Sequence, residues 1–149
     1  MGVNMDINQV LNELLVSLFK DINEIEEKAI QTEDFLGITT NDVHVMEAIG
    51  TGTAKNMSTV ARALGVTMGT LTISVNSLVK KGYVQRIRSD EDRRVVLVSL
   101  TDRGRQAHEH HRIFHEKMIT EIVKDLTTEE KEVLSKSLHK LIGFFKNRT

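Results

Sequence analysis

The side chains best suited to chemistry lie between positions 58 and 94. Met68, Gly69, Thr70, Thr72, Ile73 and Asn76 are spaced to fall on the side of a helix away from Leu71, Val75 and Leu78. Hydroxyl and amide groups of this kind bond base edges in a major groove, and the Met, Ile and Thr methyl groups meet thymine methyls. Downstream, Arg86, Arg88, Arg93 and Arg94 surround Asp90, Glu91 and Asp92. Guanidinium groups on a loop tip can enter a narrow minor groove, where the potential is most negative. Asp92 stands two residues from Arg94 and can orient it by a charge-assisted hydrogen bond, leaving Arg93 or Arg94 to reach the groove. The alternative for this run alone is a salt-bridged surface turn. Ser58, Thr67 and Lys80 are the candidates for contacts to the phosphate backbone.

The histidines point to a different chemistry. His108, His111 and His115 recur at i, i+3 and i+7, and His111 with His115 has the i, i+4 spacing of a metal-binding pair. With His44 and one carboxylate such as Glu24 they could bind zinc; a solvated or interfacial polar face is the competing reading. The chain has no Cys, which excludes disulfides, thiolate metal sites and a cysteine nucleophile. A nucleophile with its base, paired carboxylates or a phosphate-cradling loop cannot be assembled from the sequence. Gly50-Thr51-Gly52 is too short for a P-loop and lacks its Lys. No catalytic residue is assigned, and the chain reads as a non-enzyme without a resident cofactor.

The elements that must position these residues are mostly helical. Among 149 residues there is no Pro and there are nine Gly, so helix boundaries depend on caps and glycines. Ile7, Val10, Leu11, Leu14, Leu15, Leu18, Ile22 and Ile25 predict one long amphipathic helix. Thr40 or Asn41 can cap a second helix carrying Val43, Met46 and Ile49. Ser58 to Leu64 predicts a short third helix, Gly65 a turn, and Thr67 the cap of a fourth that ends at Gly82. The third and fourth form a helix-turn-helix. Tyr83–Arg88 and Val95–Leu100 are rich in β-branched residues around a polar loop and predict a hairpin. Thr101 can cap a helix to about Lys124, and Thr127 or Thr128 starts the last, with a stripe of Leu134, Leu138, Leu141, Ile142 and Phe145. The longest apolar runs are well short of the roughly 20 residues needed to cross a bilayer, so the expected location is the cytoplasm.

Charge follows the same division. The net charge of -1 averages an acidic stretch at 1–54 (two basic, ten acidic), a basic one at 55–94 (eight basic, three acidic) and a nearly balanced remainder. A basic central block between less basic flanks is the footprint of one surface presented to a polyanion.

STVARALGV from Ser58, LVKKGYV from Leu78 and RSDEDRRVVLVSLTDRG from Arg88 to Gly104 together resemble the MarR family of winged helix-turn-helix regulators. The resemblance spans residues 5–149 and implies a mainly α fold with a two-stranded wing. It also implies a single domain at 5–149, with a winged helix-turn-helix at 40–100 and helical dimerisation regions at 5–36 and 101–149. The implied molecule is a homodimer whose recognition helices enter successive major grooves of a pseudo-palindromic, AT-rich inverted repeat. Within the family, VTMGTLTISVNSLVKKGYVQRIRSDEDRRVV and HHRIFHEKM are most similar to the fatty-acid-biosynthesis repressors of Gram-positive bacteria. That similarity implies repression of type II fatty-acid synthesis genes with long-chain acyl-acyl carrier protein as corepressor. It further implies an apolar tunnel, for which Leu18, Ile22, Phe35, Leu36, His44, Met46, Phe114 and Met118 are the candidate lining. A zinc-responsive or other small-ligand-responsive member of the family, using His44, His108, His111 and His115, is the alternative.

Overall fold

A computed structural model describes residues 6–149, so residue 5, where the expected domain begins, lies outside the described residues. The chain forms two compact units, one ending at Arg112 and the other comprising Ile113–Thr149.

In the first unit the predicted N-terminal helix is interrupted. α1 (Ile7–Glu13) passes through a π-helical turn (Leu14–Leu18) into α2 (Phe19–Ile30), five residues beyond the expected last apolar position. An i→i+5 turn inserts one residue into the helical repeat and rotates the following stripe. The run Leu14-Leu15-Val16-Ser17-Leu18 is too densely apolar for a simple 3.6-residue pattern to reveal the change of phase. A 3₁₀ turn (Glu33–Phe35) leads to α3 (Thr40–Ile49). Its cap is Thr39, not Thr40 or Asn41. The Thr39 hydroxyl accepts the Asp42 N–H at 3.1 Å and the Asp42 carboxylate accepts the Thr39 N–H at 3.0 Å, a reciprocal box that only the 39/42 spacing permits.

α4 (Met57–Leu64) and α5 (Met68–Lys81) form the helix-turn-helix. Asn56 caps α4, its Oδ1 accepting the Thr59 N–H at 2.8 Å, and Thr67 caps α5, accepting the Thr70 N–H at 3.1 Å. Between them Gly65 has φ +67°, a left-handed conformation that costs glycine little. The wing strands are β2 (Val84–Arg88) and β3 (Val96–Leu100), paired antiparallel with Arg86 opposite Val98. The expected two-stranded wing is a three-stranded sheet, because β1 (Lys55–Asn56) pairs with the other edge of β3 and the order is β1-β3-β2. Two residues are too few to carry an alternation signal.

Ile38, Val43, Met46, Ile49, Val60, Leu71, Val75, Leu78, Tyr83, Val84, Val98 and Leu100 form the core beneath α5 and the sheet. Burying the apolar stripe of α5 there commits its polar side to the surface.

α6 (Asp102–Val123) begins in the first unit and ends in the second. Thr101 starts it as expected, its hydroxyl accepting the Gly104 N–H at 3.1 Å and donating to the Gly82 carbonyl at 2.6 Å. In the second unit α7 (Thr128–Lys146) opens with a Thr127–Glu130 capping box. The Thr127 N–H bonds to Glu130 and holds that carboxyl below its ordinary pKa. None of the nineteen residues of α7 is buried. Among the described residues, no helix is long and apolar enough to cross a membrane.

Candidate nucleic-acid interface

The outer side of α5 carries every residue proposed for the major groove. Met68, Gly69, Thr70, Thr72, Ile73 and Asn76 are all exposed, while Leu71, Val75 and Leu78 are buried. Ile73 is 73% exposed in the middle of the helix, an apolar side chain offered outward. Thr67 and Thr70 share a hydroxyl contact at 3.0 Å, and the Thr72 hydroxyl donates to the Met68 carbonyl at 2.8 Å. These bonds orient the hydroxyls on the surface of the helix.

The position of α5 is fixed at its C-terminal end. Lys81 donates to the buried Asp42 carboxylate of α3 at 2.6 Å and to the Gly37 carbonyl at 2.8 Å. Sequence reasoning missed this pair, because the two residues are 39 positions apart and no local pattern joins them.

In the loop between β2 and β3, Asp92 and Arg94 make a forked contact. Arg94 Nε donates to Asp92 Oδ1 and Nη2 to Oδ2, both at 3.1 Å, and the Arg94 backbone N–H donates to Oδ1 at 3.1 Å. The Arg94 guanidinium, followed by its backbone N–H, holds the Asp92 carboxyl below the ordinary carboxylate range. The Arg94 side chain is nevertheless 92% exposed, so it is oriented without being covered. The loop is closed by the Ser89 N–H to the Val95 carbonyl and the Val95 N–H to the Asp92 carbonyl, each at 2.9 Å. Arg88 donates to the Arg93 carbonyl at 2.8 Å, which bends its guanidinium toward the loop backbone. Arg86 lies farther from the tip and donates to Asn76 of α5. Ser58, Thr67 and Lys80 are exposed at the start of α4, the cap of α5 and the end of α5; the Ser58 hydroxyl donates to Asn56 at 2.9 Å.

The proposed effector residues have diverse surroundings. Phe35 and Met46 are core residues, Phe35 with its ring 5.4 Å from His110 and 6.5 Å from Tyr83. Ile22 is half-buried, Leu18 and His44 are exposed, and Leu36 is 70% exposed. Phe114 and Met118 are half-buried residues of the second unit. Leu18 also lines an open groove along the N-terminal helical segment with Val10, Glu13, Leu14, Ser17 and Asp21. Of the histidines, His108 is half-buried and His115 is half-buried in the second unit, edge-on to Phe114 at 6.0 Å. His111 is buried and bonds Glu47 through Nδ1 at 2.8 Å. Glu24, the carboxylate named from sequence, is exposed with Lys20 at 3.9 Å, whereas Glu26 is the buried carboxylate of α2. The two acids are two residues apart on α2, and which of them turns inward depends on the phase of the helix after the π turn.

Comparison with known proteins agrees with this architecture. Residues 28–111 match the family described as transcriptional regulator SarA/Rot. The crystal structure of FabT from Streptococcus pneumoniae in complex with DNA is 37% identical and superimposes with a TM-score of 0.88, covering 95% of this chain and 99% of that one. The transcriptional regulator AdcR of Streptococcus pneumoniae serotype 2 (strain D39) is 29% identical over 95% of this chain and 96% of its own length. SarZ of Staphylococcus haemolyticus is 28% identical over 89% and 88% respectively. The chain belongs to the SarA/Rot transcriptional regulators and is a MarR-type winged helix-turn-helix protein related to FabT, a DNA-binding regulator and not an enzyme.

Proposed function

We propose that the chain is a transcriptional repressor that acts as a homodimer on an AT-rich inverted repeat. α5 of each copy enters a major groove, and Arg93 or Arg94 of each wing enters the flanking minor groove. The observation that carries this reading is the two-sided α5. Its apolar stripe is buried in the core while Thr70, Thr72, Ile73 and Asn76 stand exposed beside a wing whose arginine is held by Asp92. The likeness to FabT in complex with DNA supports it. A second copy would cover the apolar side chains that α7 and the N-terminal helical segment leave exposed, such as Leu138, Ile142, Val16 and Phe19.

The genes proposed are those of type II fatty-acid synthesis, with long-chain acyl-acyl carrier protein as corepressor. Support for this comes from the relationship to FabT. The candidate lining fits a hydrocarbon chemically: apart from His44, Leu18, Ile22, Phe35, Leu36, Met46, Phe114 and Met118 are all apolar. Binding of the acyl chain would shift the population toward the dimer whose recognition helices match successive grooves. The test is a gel shift with the upstream region of a fatty-acid synthesis operon. Tighter binding with the long-chain acylated carrier, and none with the unacylated carrier, is expected. An acylated carrier without effect overturns the corepressor while leaving the DNA reading intact.

A further inference from the structure

We propose that Arg86 biases what Asn76 can read, by fixing the orientation of its amide and holding a cation against the amide oxygen. This rests on the proposed DNA-reading role of α5.

Arg86 is the third residue of β2, opposite Val98, and its Nη2 donates to Asn76 Oδ1. Three residues of strand, about 10 Å, separate it from Ser89 at the start of the wing loop. Its contact is therefore to the recognition helix and not to the wing tip. A guanidinium has five donors and no acceptor. The Asn76 atom that faces it must therefore be the oxygen, and the orientation of the amide is set by chemistry. Both residues are exposed. Among the described residues, neither Asn76 Nδ2 nor the remaining Arg86 N–H groups have a partner.

An unencumbered Asn reads adenine by two bonds, accepting from N6 through its oxygen and donating to N7 through its nitrogen. With Arg86 on Oδ1, an adenine N6 amine would have to share that oxygen with a cation through its second lone pair, so the acceptor half is weakened and the donor half favoured. The donor half suits guanine N7 or O6, thymine O4 and adenine N7, so the adenine N6 amine contributes less to base choice. The cation also polarises the amide and strengthens its N–H donors. The unpaired guanidinium N–H groups of Arg86 are left for a backbone phosphate, which would tie base and phosphate recognition into one unit.

Selection from a pool of random duplexes, with the full-length chain as wild type, Arg86→Ala, Asn76→Ala and the double variant, tests this. Arg93→Ala serves as a control for loss of one positive charge. Arg86→Ala should gain adenine at one position per half-site by about tenfold over wild type, the worth of one good bidentate pair. Asn76→Ala and the double variant should lack that preference, and Arg93→Ala should weaken binding without changing base choice at that position. Identical base preferences in wild type and Arg86→Ala, or an equally strong adenine demand in wild type, would overturn the inference. A wild type that enriches no sequence would instead remove the DNA reading beneath it, and the inference with it. Circular dichroism of each variant separates these results from misfolding.

Discussion

One oxygen of Asp42, Oδ2, accepts both the Lys81 ammonium at 2.6 Å and the Thr39 N–H at 3.0 Å. The same carboxylate therefore caps α3 and anchors the C-terminal end of α5. The pair is asymmetric, with Asp42 almost wholly buried and Lys81 retaining solvent contact. Removing the lysine strands a buried charge that keeps only its capping bond. Lys81→Met should cost about 1–2 kcal/mol of stability, less than a fully buried pair would because Lys81 remains partly hydrated. Urea unfolding at neutral pH measures it, and an unchanged midpoint would show that the pair does not anchor α5.

Gly104 illustrates a constraint of space, not of backbone angle. A Cβ there would lie 2.1 Å from the Tyr83 carbonyl oxygen, which also accepts the Thr101 N–H at 3.1 Å. Since backbone cannot swing aside as a side chain can, Gly104→Ala should destabilise the chain by roughly 3 kcal/mol, the upper end of ordinary overpacking. Thermal unfolding that matches wild type would contradict this.

Ile73 separates folding from reading. With most of its surface exposed, Ile73→Ala should change stability by no more than about 0.5 kcal/mol. The same change should lower operator affinity and weaken the preference for thymine at the position it meets. Paired unfolding and binding curves check both halves; a large loss of stability would assign Ile73 to packing.

The wing has a pH signature. Because Arg94 lowers the Asp92 pKa in the folded chain, the pair contributes above the unfolded carboxyl's pKa and is lost only as pH falls through the lower, folded value. Asp92 should therefore add no pH dependence to DNA binding between about pH 6 and 8. Asp92→Asn should reduce affinity throughout that range, and Arg94→Ala should make the salt dependence shallower by about one ion. Binding that varies steeply from pH 6 to 8 in wild type but not in Asp92→Asn would contradict it.

The capping box of α7 has the same sign. The Glu130 pKa is lowered by its bond from the Thr127 N–H, so the cap is present above the ordinary carboxylate range and fails as pH drops through the lowered value. Circular dichroism of Glu130→Ala against wild type should show helix loss at neutral pH in the variant only.

Local patterns made much of this legible in the sequence. Thr67 before an apolar stripe, Gly65 in a turn and Thr101 ahead of α6 each depend on residues three or four apart, and they stand where the spacing predicts. The Asp92–Arg94 fork was readable for the same reason, at a separation of two. Three features were not. β1 is too short to show alternation, and its pairing with β3 joins residues more than forty positions apart. The π turn at Leu14–Leu18 is hidden by a densely apolar run broken only by Ser17. Asp42–Lys81 and Asn76–Arg86 arise where one element meets another, and residue types alone do not choose the partner. In the first case a capping acid meets a helix-terminal lysine; in the second, a helix amide meets a strand arginine.

Hydroxyl-radical footprinting of the full-length chain on a duplex selected from random sequence tests the central claim most directly. The account predicts two protected half-sites about one helical turn apart, each with a major-groove contact flanked by minor-groove protection that Arg93→Ala with Arg94→Ala removes. Failure to select any sequence, or protection that spreads uniformly along the duplex and is unchanged in that variant, would contradict it.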